Sequence, residues 1–327
     1  MVRRTLPGAR KLSVSFDKQH FAAKRDHTPP TAAARLQKVA LDTPFDPAKF
    51  NFNKANKAEI VAHHAASHDF VRNVWSYAVA LGVDVPSSDG PAWGASPSPQ
   101  PILANASPLM NGHCVAPLYA DLECPQVLDA FGLAAAASLC VGRIRVGFNS
   151  LGAFASVNHL HVHLMFADDL DDGVFPIERA AVASEVVRGK EVSVDLLEWP
   201  VPSFAFSVGG GGGGADDLAV AVVGAAAVFI DILKREQIPH NVLLCPDASG
   251  ASLRVIVSPR LPQENFDVSK AGFNSAVCEV SGLLIAQTEE RFEVLTEEEV
   301  CAALASIALE PEEIARYASS LKLLIIG

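Results

Sequence analysis

The sequence predicts an α+β protein in which helices pack on an antiparallel sheet, and three observations predict this fold class. Residues 159–164 alternate histidine with leucine or valine, which is the period of a strand with one buried face. Residues 142–148 also alternate and are followed by the turn-forming residues 149–152, so these two strands are expected to pair as a hairpin. The alanine-rich stretch 125–141 is typical of a helix that packs on them.

The rest of the first half supplies further elements of the same module. Residues 57–83 predict a helix that ends near Gly82, and residues 101–106 and 112–117 predict strands. The stretch 85–100 is rich in Pro, Ser and Gly and predicts a surface loop. Residues 1–43 are basic and contain the breaker Pro29-Pro30, which predicts an arm or an extended edge.

The second half repeats this order more faintly. Strand 204–208, helix 216–235 and a hairpin of strands 241–245 and 253–258 are predicted, and acidic helices follow from Thr296 onward. The order suggests a duplicated module that lacks a second histidine set. We therefore predict three parts: an N-terminal arm at 1–43, a catalytic module at 44–200, and a second half with the C-terminal helices at 201–327.

The histidine strand admits three interpretations. His159, His161 and His163 share one face if the segment is extended, while Leu160, Val162 and Leu164 share the other. The histidine face is then an active site, a zinc site, or a core face whose imidazoles are hydrogen-bonded. Each buried imidazole needs a polar partner, which disfavours the core interpretation. The sequence has no CxxC or HExxH pattern beside the strand, which disfavours zinc.

The residues that lead into the strand are typical of an anion-binding turn. Asn149, Ser150, Gly152 and Ser156 are small or polar, and backbone N–H groups left free in such a turn can bind phosphate without a Walker lysine. The alternative is an ordinary turn, which Gly152 alone favours. Arg145 lies on the preceding strand, where it either supplies positive charge to the site or faces solvent.

Five blocks, in order along the chain, resemble the histidine-triad superfamily and, within it, the GDP-hexose phosphorylase branch. The central block is RVGFNSLGAFASVNHLH, from Arg145 to His161. The others are Phe45–Lys54, Asn105–His113, Pro239–Pro246 and Val277–Gly282. The resemblance implies a histidine-triad-like antiparallel sheet with packed helices, duplicated as in galactose-1-phosphate uridylyltransferase-like proteins.

The resemblance also implies an activity and a site. Such enzymes convert a GDP-hexose and phosphate to hexose 1-phosphate and GDP, with GDP-L-galactose or GDP-D-glucose as the substrate. His161 would be the nucleophile and carry the guanylyl group, with His159 and His163 orienting and polarising. The implied substrate-binding residues are Arg145, Asn149, Ser150, Gly152, Ser156, Asn158 and Ser107. The resemblance implies no metal and no cofactor, and it allows a homodimer.

One departure keeps alternatives open. Plant members of the branch tend to carry Gln at the position of His163, whereas animal members and the hydrolases of the superfamily tend to carry His. Phosphorolysis and hydrolysis differ only in whether phosphate or water attacks the intermediate, so a nucleotide-sugar or dinucleotide hydrolase is the alternative enzyme. Residues 114–120 also lack the basic residue expected there, which leaves room for a non-catalytic nucleotide-binding protein.

Composition excludes other classes of function. The formal net charge of −11 argues against nucleic acid as a partner, because a phosphate backbone is bound mainly by a broad basic surface. The six cysteines are widely spaced and predict reduced core residues of a cytoplasmic protein. The N-terminal residues have no apolar signal region, and the longest apolar run, 218–233, is short for a membrane span.

Overall fold

The structure is a computed structural model that describes residues 1–18, 40–83, 99–247 and 250–326. Four sequence predictions fall wholly or partly outside these residues: the N-terminal arm at 1–43, its breaker Pro29-Pro30, the loop at 85–100 and the turn between the predicted strands 241–245 and 253–258.

A ten-stranded antiparallel sheet forms the centre of the fold. Its strands run in the spatial order β3-β4-β5-β7-β6-β11-β12-β10-β9-β8. Their bounds in chain order are β3 Ile60–His64, β4 Gln100–Ala104, β5 Cys114–Pro117, β6 Ile144–Asn149, β7 His161–Phe166, β8 Val182–Arg188, β9 Val192–Leu197, β10 Ser203–Val208, β11 His240–Pro246 and β12 Leu253–Pro259. A smaller sheet joins β1 Val2–Thr5, β2 Ser13–Phe16 and β13 Leu283–Ile285.

The order of the strands confirms the predicted fold class and its duplication. Each half contributes three strands, a helix and a two-strand pair, and the first half has an additional helix, His68–Ala80, between β3 and β4. The halves meet where β6 pairs with β11 in one continuous sheet. Asn149 lies opposite Asn241 at this junction. The division of the chain at residue 200 stays a prediction, and β9 hydrogen-bonds with β10 of the second half while β8 hydrogen-bonds with β9.

Helices cover the two faces of the large sheet unequally. The described α-helices are α1 His68–Ala80, α2 Ala130–Leu139, α3 Ala215–Arg235, α4 Val268–Ala271, α5 Val277–Val280, α6 Glu289–Val294, α7 Glu297–Ala305 and α8 Pro311–Ile326. The first three pack on one face, where the buried residues Leu160, Val162 and Leu164 join their core. The short helices and the small sheet cover part of the opposite face.

The predicted helix at 57–83 is wrong over its first eleven residues. Residues 57–59 form a 3-10 turn, and Ile60–His64 form an edge strand that pairs with β4. The helix begins only after Ser67, whose side chain accepts a hydrogen bond from the Phe70 N–H and so caps the first turn. Pairing with a strand distant in sequence therefore overrides the local helical pattern.

The histidine strand begins two residues later than the alternation predicts. β7 begins at His161, so His161 and His163 share a face of the sheet, and His159 lies in the bend that precedes the strand. The Leu160 carbonyl accepts from the Leu118 N–H at 2.9 Å, and the Leu160 N–H donates to the Cys124 carbonyl at 2.8 Å. These contacts fix the entry to the strand while the Leu160 side chain remains in the core.

The buried face of β7 predicts a matched pair of stability changes. Val162 is fully buried under the helices, so Val162→Ala should lower the free energy of unfolding by about 2–4 kcal/mol through lost contacts and a residual cavity. Val182 is 47% exposed on an edge strand, and Val182→Ala should change it by no more than about 0.5 kcal/mol. Urea unfolding of both variants measures the difference; equal losses would contradict the assigned faces.

Candidate active site

The His161 imidazole has a defined tautomer. Its Nδ1 lies 2.7 Å from the main-chain carbonyl oxygen of His159. A carbonyl oxygen only accepts hydrogen bonds, so Nδ1 must carry the hydrogen. In the neutral ring the lone pair is then on Nε2. The geometry therefore presents an unprotonated ring nitrogen.

Burial keeps this ring neutral. His161 is 3% exposed, and burial, followed by the neighbouring His163, lowers the pKa of His161 to about 3. The ring centroids of His161 and His163 are 5.5 Å apart. An imidazole with this pKa is uncharged at neutral pH, which is the protonation state that a nitrogen nucleophile requires.

His163 is oriented by a further histidine, His113, which directly precedes β5. The Leu109 N–H donates to Nδ1 of His113 at 3.0 Å, so in the neutral His113 ring the hydrogen is on Nε2. That Nε2 lies 3.1 Å from Nδ1 of His163 and donates to it. His163 therefore carries its own hydrogen on Nε2, and burial, followed by His113, lowers its pKa to about 3. The site face thus holds one acceptor nitrogen on His161 and one N–H donor on His163.

His159 occupies an aromatic pocket beside these rings. Its ring is fully buried, and its Nδ1 accepts a hydrogen bond from the Phe52 N–H at 3.1 Å. Phe45 packs against it with ring centroids 5.1 Å apart, and Phe52 contacts His159 at 5.9 Å and His161 at 4.9 Å. Burial lowers the pKa of His159, and the Ala120 carbonyl opposes this shift. His159 thus holds in place the segment that carries Phe52, whose phenyl ring packs against His161.

The side chains of the first two residues of the predicted anion-binding turn, Asn149 and Ser150, are hydrogen-bonded to other groups of the protein. The Asn149 Oδ1 accepts from Asn241 Nδ2 at 2.8 Å and from the Val277 N–H at 2.7 Å. The Ser150 hydroxyl accepts from the His240 N–H at 2.9 Å and donates to the Leu151 carbonyl at 3.0 Å. Both side chains are buried and tie the end of β6 to the second half.

The later turn residues differ in how accessible they are. Gly152 has φ +74, and a Cβ there would meet Pro239 at 3.0 Å, so the close approach of the second half requires glycine. The Phe154 N–H, a further donor of this turn, bonds to the Gln263 side chain at 2.7 Å. Ser156 is exposed. The structure therefore places the Ser156 hydroxyl at the surface, but directs several of the turn's donors to protein partners.

Asn158 and Arg145 also make strong contacts within the protein. Asn158 accepts from the Gln126 N–H at 2.8 Å and donates to the carbonyls of Thr43 and Pro44 at 3.0 and 2.9 Å. Arg145 is 5% exposed and forms a two-point ion pair with Glu178, with both N–O distances at 3.0 Å. Its charge is thus neutralised by a carboxylate rather than directed to solvent.

Ser107 lies close to His113. Its N–H donates to Asn105 Oδ1 at 2.9 Å, and the Asn105 amide nitrogen is 3.3 Å from Nε2 of His113. Ser107 is half-buried. The loop before β5 therefore brings Ser107 and His113 to the same end of the sheet as His163.

Sequence reasoning did not identify three contributors to this arrangement. They are His113 as the partner of His163, Phe52 against His161, and Gln126, which bonds to the His161 main chain. His113 and Phe52 lie within two of the blocks that carry the resemblance, which was the available signal. Gln126 lies in the predicted helix at 125–141, but the structure begins that helix only at Ala130 and leaves Gln126 in a loop, so no local pattern indicated its role. Among the described residues, no three His, Cys, Asp or Glu side chains are grouped so as to hold a metal ion.

The duplicated antiparallel sheet, with adjacent histidines on one face, defines a fold of the histidine-triad class. A solved structure of this class, yeast Ap4A phosphorylase Apa2 in complex with Ap4A, aligns over 94% of this chain and 88% of its own, with a TM-score of 0.50 and 14% sequence identity. At this identity the likeness concerns the fold alone.

The chain belongs to the GDPGP1-like family. The model of the GDPGP1-like N-terminal domain matches residues 1–165, and the model of the C-terminal domain matches residues 176–322. The two matches together extend over both halves of the sheet and include all of the residues described above.

Similar curated proteins come from plants and animals. GDP-L-galactose phosphorylase 2 of Arabidopsis thaliana is 29% identical over 291 residues, covering 85% of this chain and 61% of the relative. GDP-D-glucose phosphorylase 1 of Danio rerio is 31% identical over 288 residues, covering 83% of this chain and 71% of the relative. The Homo sapiens protein of that name is 26% identical over 322 residues, covering 94% of this chain and 73% of the relative. This chain thus spans only 59–61% of the length of the plant relatives.

In the described part of the chain, no helix combines the length and the apolar character needed to cross a bilayer.

The lowered histidine pKa values predict acid sensitivity. His161 and His163 have pKa values of about 3 in the folded protein, whereas an exposed histidine has a pKa of about 6.5. The unfolded chain therefore binds more protons between these values, and stability should fall as pH decreases from 6.5 toward 3. His163→Gln removes one such group and should make the decline shallower. Urea unfolding between pH 8 and 5 measures this; parallel declines for both proteins would refute it.

Proposed function

We propose that this protein is a nucleotidylyltransferase, a GDP-hexose phosphorylase that converts a GDP-hexose and phosphate to hexose 1-phosphate and GDP through a guanylylated histidine. The observation that carries the proposal is the 2.7 Å contact between His161 Nδ1 and the His159 carbonyl, which leaves Nε2 as a neutral nucleophile. Family membership and relatives that are GDP-L-galactose and GDP-D-glucose phosphorylases support the substrate class.

The reaction divides into two displacements at the α-phosphorus. In the first, the Nε2 lone pair of His161 forms an N–P bond while the bond from the α-phosphorus to the bridging oxygen breaks, and hexose 1-phosphate leaves with that electron pair. In the second, an oxygen of inorganic phosphate attacks the same phosphorus, the N–P bond breaks, and GDP leaves. The neutral imidazole is restored without a net proton transfer to it.

The hydrogen bond to the His159 carbonyl has a catalytic consequence. When Nε2 bonds to phosphorus, positive charge develops on the His161 ring, and the Nδ1 hydrogen shares it with the carbonyl dipole. This contact is preorganised, so it stabilises the charge without rearrangement during the step. The His159 side chain acts beside it by holding the Phe52 segment against the His161 ring.

His163 is suited to polarise the phosphoryl group. The donor chain from Leu109 through His113 fixes a hydrogen on Nε2 of His163, on the face that His161 shares. We assign this N–H to an oxygen of the α-phosphate or the leaving group, where it stabilises developing negative charge. His113 acts through His163 and is therefore a positioning residue.

The predicted substrate-binding residues divide by accessibility. We assign direct contact with substrate to Ser156, which is exposed, and to Ser107, which lies beside His113. Asn149, Ser150, Gly152 and Asn158 support the site by holding the turn and its neighbours, and Arg145 supports it through Glu178.

We also propose a cytoplasmic location, with a GDP-hexose and inorganic phosphate as the small-molecule partners. All six cysteines are free, and they include fully buried thiols, as expected for a protein of a reducing compartment. The net charge of −11 disfavours nucleic acid and anionic membrane surfaces.

The products distinguish phosphorolysis from hydrolysis. With GDP-L-galactose or GDP-D-glucose and phosphate, we expect GDP and hexose 1-phosphate in equal amounts, at a rate that rises with phosphate. Chromatography of both products over a phosphate series measures this. GMP formed at a rate independent of phosphate would assign the protein to the hydrolases, and binding without any product would make it a nucleotide-binding protein.

Replacement of the nucleophile should remove turnover without unfolding the protein. His161→Ala should lower kcat by at least about a thousandfold, because no other nitrogen occupies its position. The matched control is His240→Ala. The His240 Nδ1 also lies near the carbonyl two residues earlier, that of Ile238, at 3.0 Å, but His240 is the first residue of β11 in the second half. The control should retain activity within about fivefold; an active His161→Ala would overturn the assignment.

A further inference from the structure

The side chain of Gln126 fills a gap between the two strands that bear the site. Its Oε1 accepts from the His161 N–H at 2.9 Å. Its Nε2 donates to the Asn149 carbonyl at 2.9 Å and to the His161 carbonyl at 3.2 Å. The residue is 1% exposed. One buried amide therefore satisfies both main-chain groups of His161.

This gap results from the end of the β6–β7 ladder. The strands pair from Ile144 opposite Phe166 to Gly147 opposite His163, and the pairing stops there. Continued pairing would place Asn149 opposite His161, but the Gln126 amide lies between them. On the other side of β7, His161 lies opposite Pro117, which has no N–H to donate. The main-chain N–H and carbonyl of His161 are thus hydrogen-bonded by a side chain, whereas a neighbouring strand would normally provide these bonds.

The orientation of the Gln126 amide is fixed by its surroundings. An N–H faces its oxygen and two carbonyls face its nitrogen, so the reversed amide would lose all three hydrogen bonds. Its own N–H donates to Asn158, which in turn donates to the carbonyls of Thr43 and Pro44. Gln126 is therefore tied to the segment that carries Phe45 and Phe52.

We propose that Gln126 is a positioning residue that sets the direction of the His161 Nε2 lone pair. The ring contact joins Nδ1 of His161 to the carbonyl of His159, only two residues earlier, so its length depends on the main chain between them. By holding the N–H and the carbonyl of His161, Gln126 fixes that main chain. The catalytic consequence rests on the proposed function, in which Nε2 must align with a phosphorus atom. Small misalignments of reacting groups cost large factors in rate.

Two substitutions and a matched control test the role. Gln126→Met keeps the length of the side chain and removes its acceptor and donors. Gln126→Glu keeps the shape and, when protonated, supplies both an acceptor and one donor. Gln237 bonds in the same way, accepting from the Leu41 N–H at 2.8 Å and donating to the Lys234 carbonyl at 3.0 Å, so Gln237→Met is the control.

The kinetic readout separates positioning from binding. Gln126→Met should lower kcat by about 10- to 100-fold and leave KM within about twofold, because substrate contacts are unchanged. Gln237→Met should leave both constants near wild type. Burial raises the pKa of a carboxyl group, so kcat of Gln126→Glu, relative to wild type, should recover as pH falls from 8 to 6. An unchanged kcat in Gln126→Met, or a ratio for Gln126→Glu that is independent of pH, would overturn the proposal.

A second readout does not depend on activity. Nitrogen-15 NMR of histidine-labelled protein at pH 7, assigned with His161→Ala, should give a single tautomer of His161 with hydrogen on Nδ1 in wild type. In Gln126→Met we expect averaged shifts of the two ring nitrogens. If wild type fails to cleave GDP-hexoses, the proposed function fails and these spectra still decide this inference. A fixed tautomer in Gln126→Met would contradict it.

Discussion

The hydrogen bond from His161 Nδ1 to the carbonyl of His159 is the contact on which the site depends. It assigns one tautomer, because the oxygen can only accept, and it leaves the opposite nitrogen with its lone pair. Burial alone would make the ring neutral but would leave the tautomer undefined. The carbonyl alone would favour a charged ring. The combination produces a neutral imidazole with a defined direction, which is what nucleophilic attack on phosphorus requires.

The two halves of the molecule contribute unequally to this arrangement. The first half supplies every histidine of the site, and its helices hold the other face of β7 through Val162 and Leu164. The second half supplies no residue with an assigned reactive role, yet it closes the end of β6. Asn241 and Val277 bond to the Asn149 side chain, and His240 bonds to Ser150. The duplicated half therefore serves as the support against which the histidine strand is positioned.

Local patterns predicted most of the fold. A period of two residues in β7 and β6, and helical periodicity in residues 216–235, depend on neighbours in sequence and were read correctly. The edge strand β3 was missed because it is largely exposed and acquires its structure by pairing with β4, which is distant in sequence. The start of the histidine strand was predicted two residues too early, because the alternation already begins in a bend whose main chain is held by Leu118 and Cys124.

The site was predictable in its centre and less so in its surroundings. The alternation indicated His161 and His163, but the partner of His163 lies 50 residues earlier in the chain. Composition indicated a turn at 149–152 without revealing whether its polar groups face a ligand. Whether these groups face a ligand depends on strand β11, about 90 residues away in sequence, which hydrogen-bonds to the side chains of Asn149 and Ser150. Gln126 has no sequence signature, since its role arises only where β6 and β7 separate.

The central claim is that the guanylyl group resides on one nitrogen of one histidine. The most direct measurement is peptide mapping by mass spectrometry of protein quenched after brief exposure to a GDP-hexose without phosphate. We expect a single acid-labile GMP adduct on the peptide that contains His161, removed when phosphate is added before quenching. An adduct on His159, His163 or another residue, or turnover to GDP and hexose 1-phosphate with no adduct at all, would contradict the account.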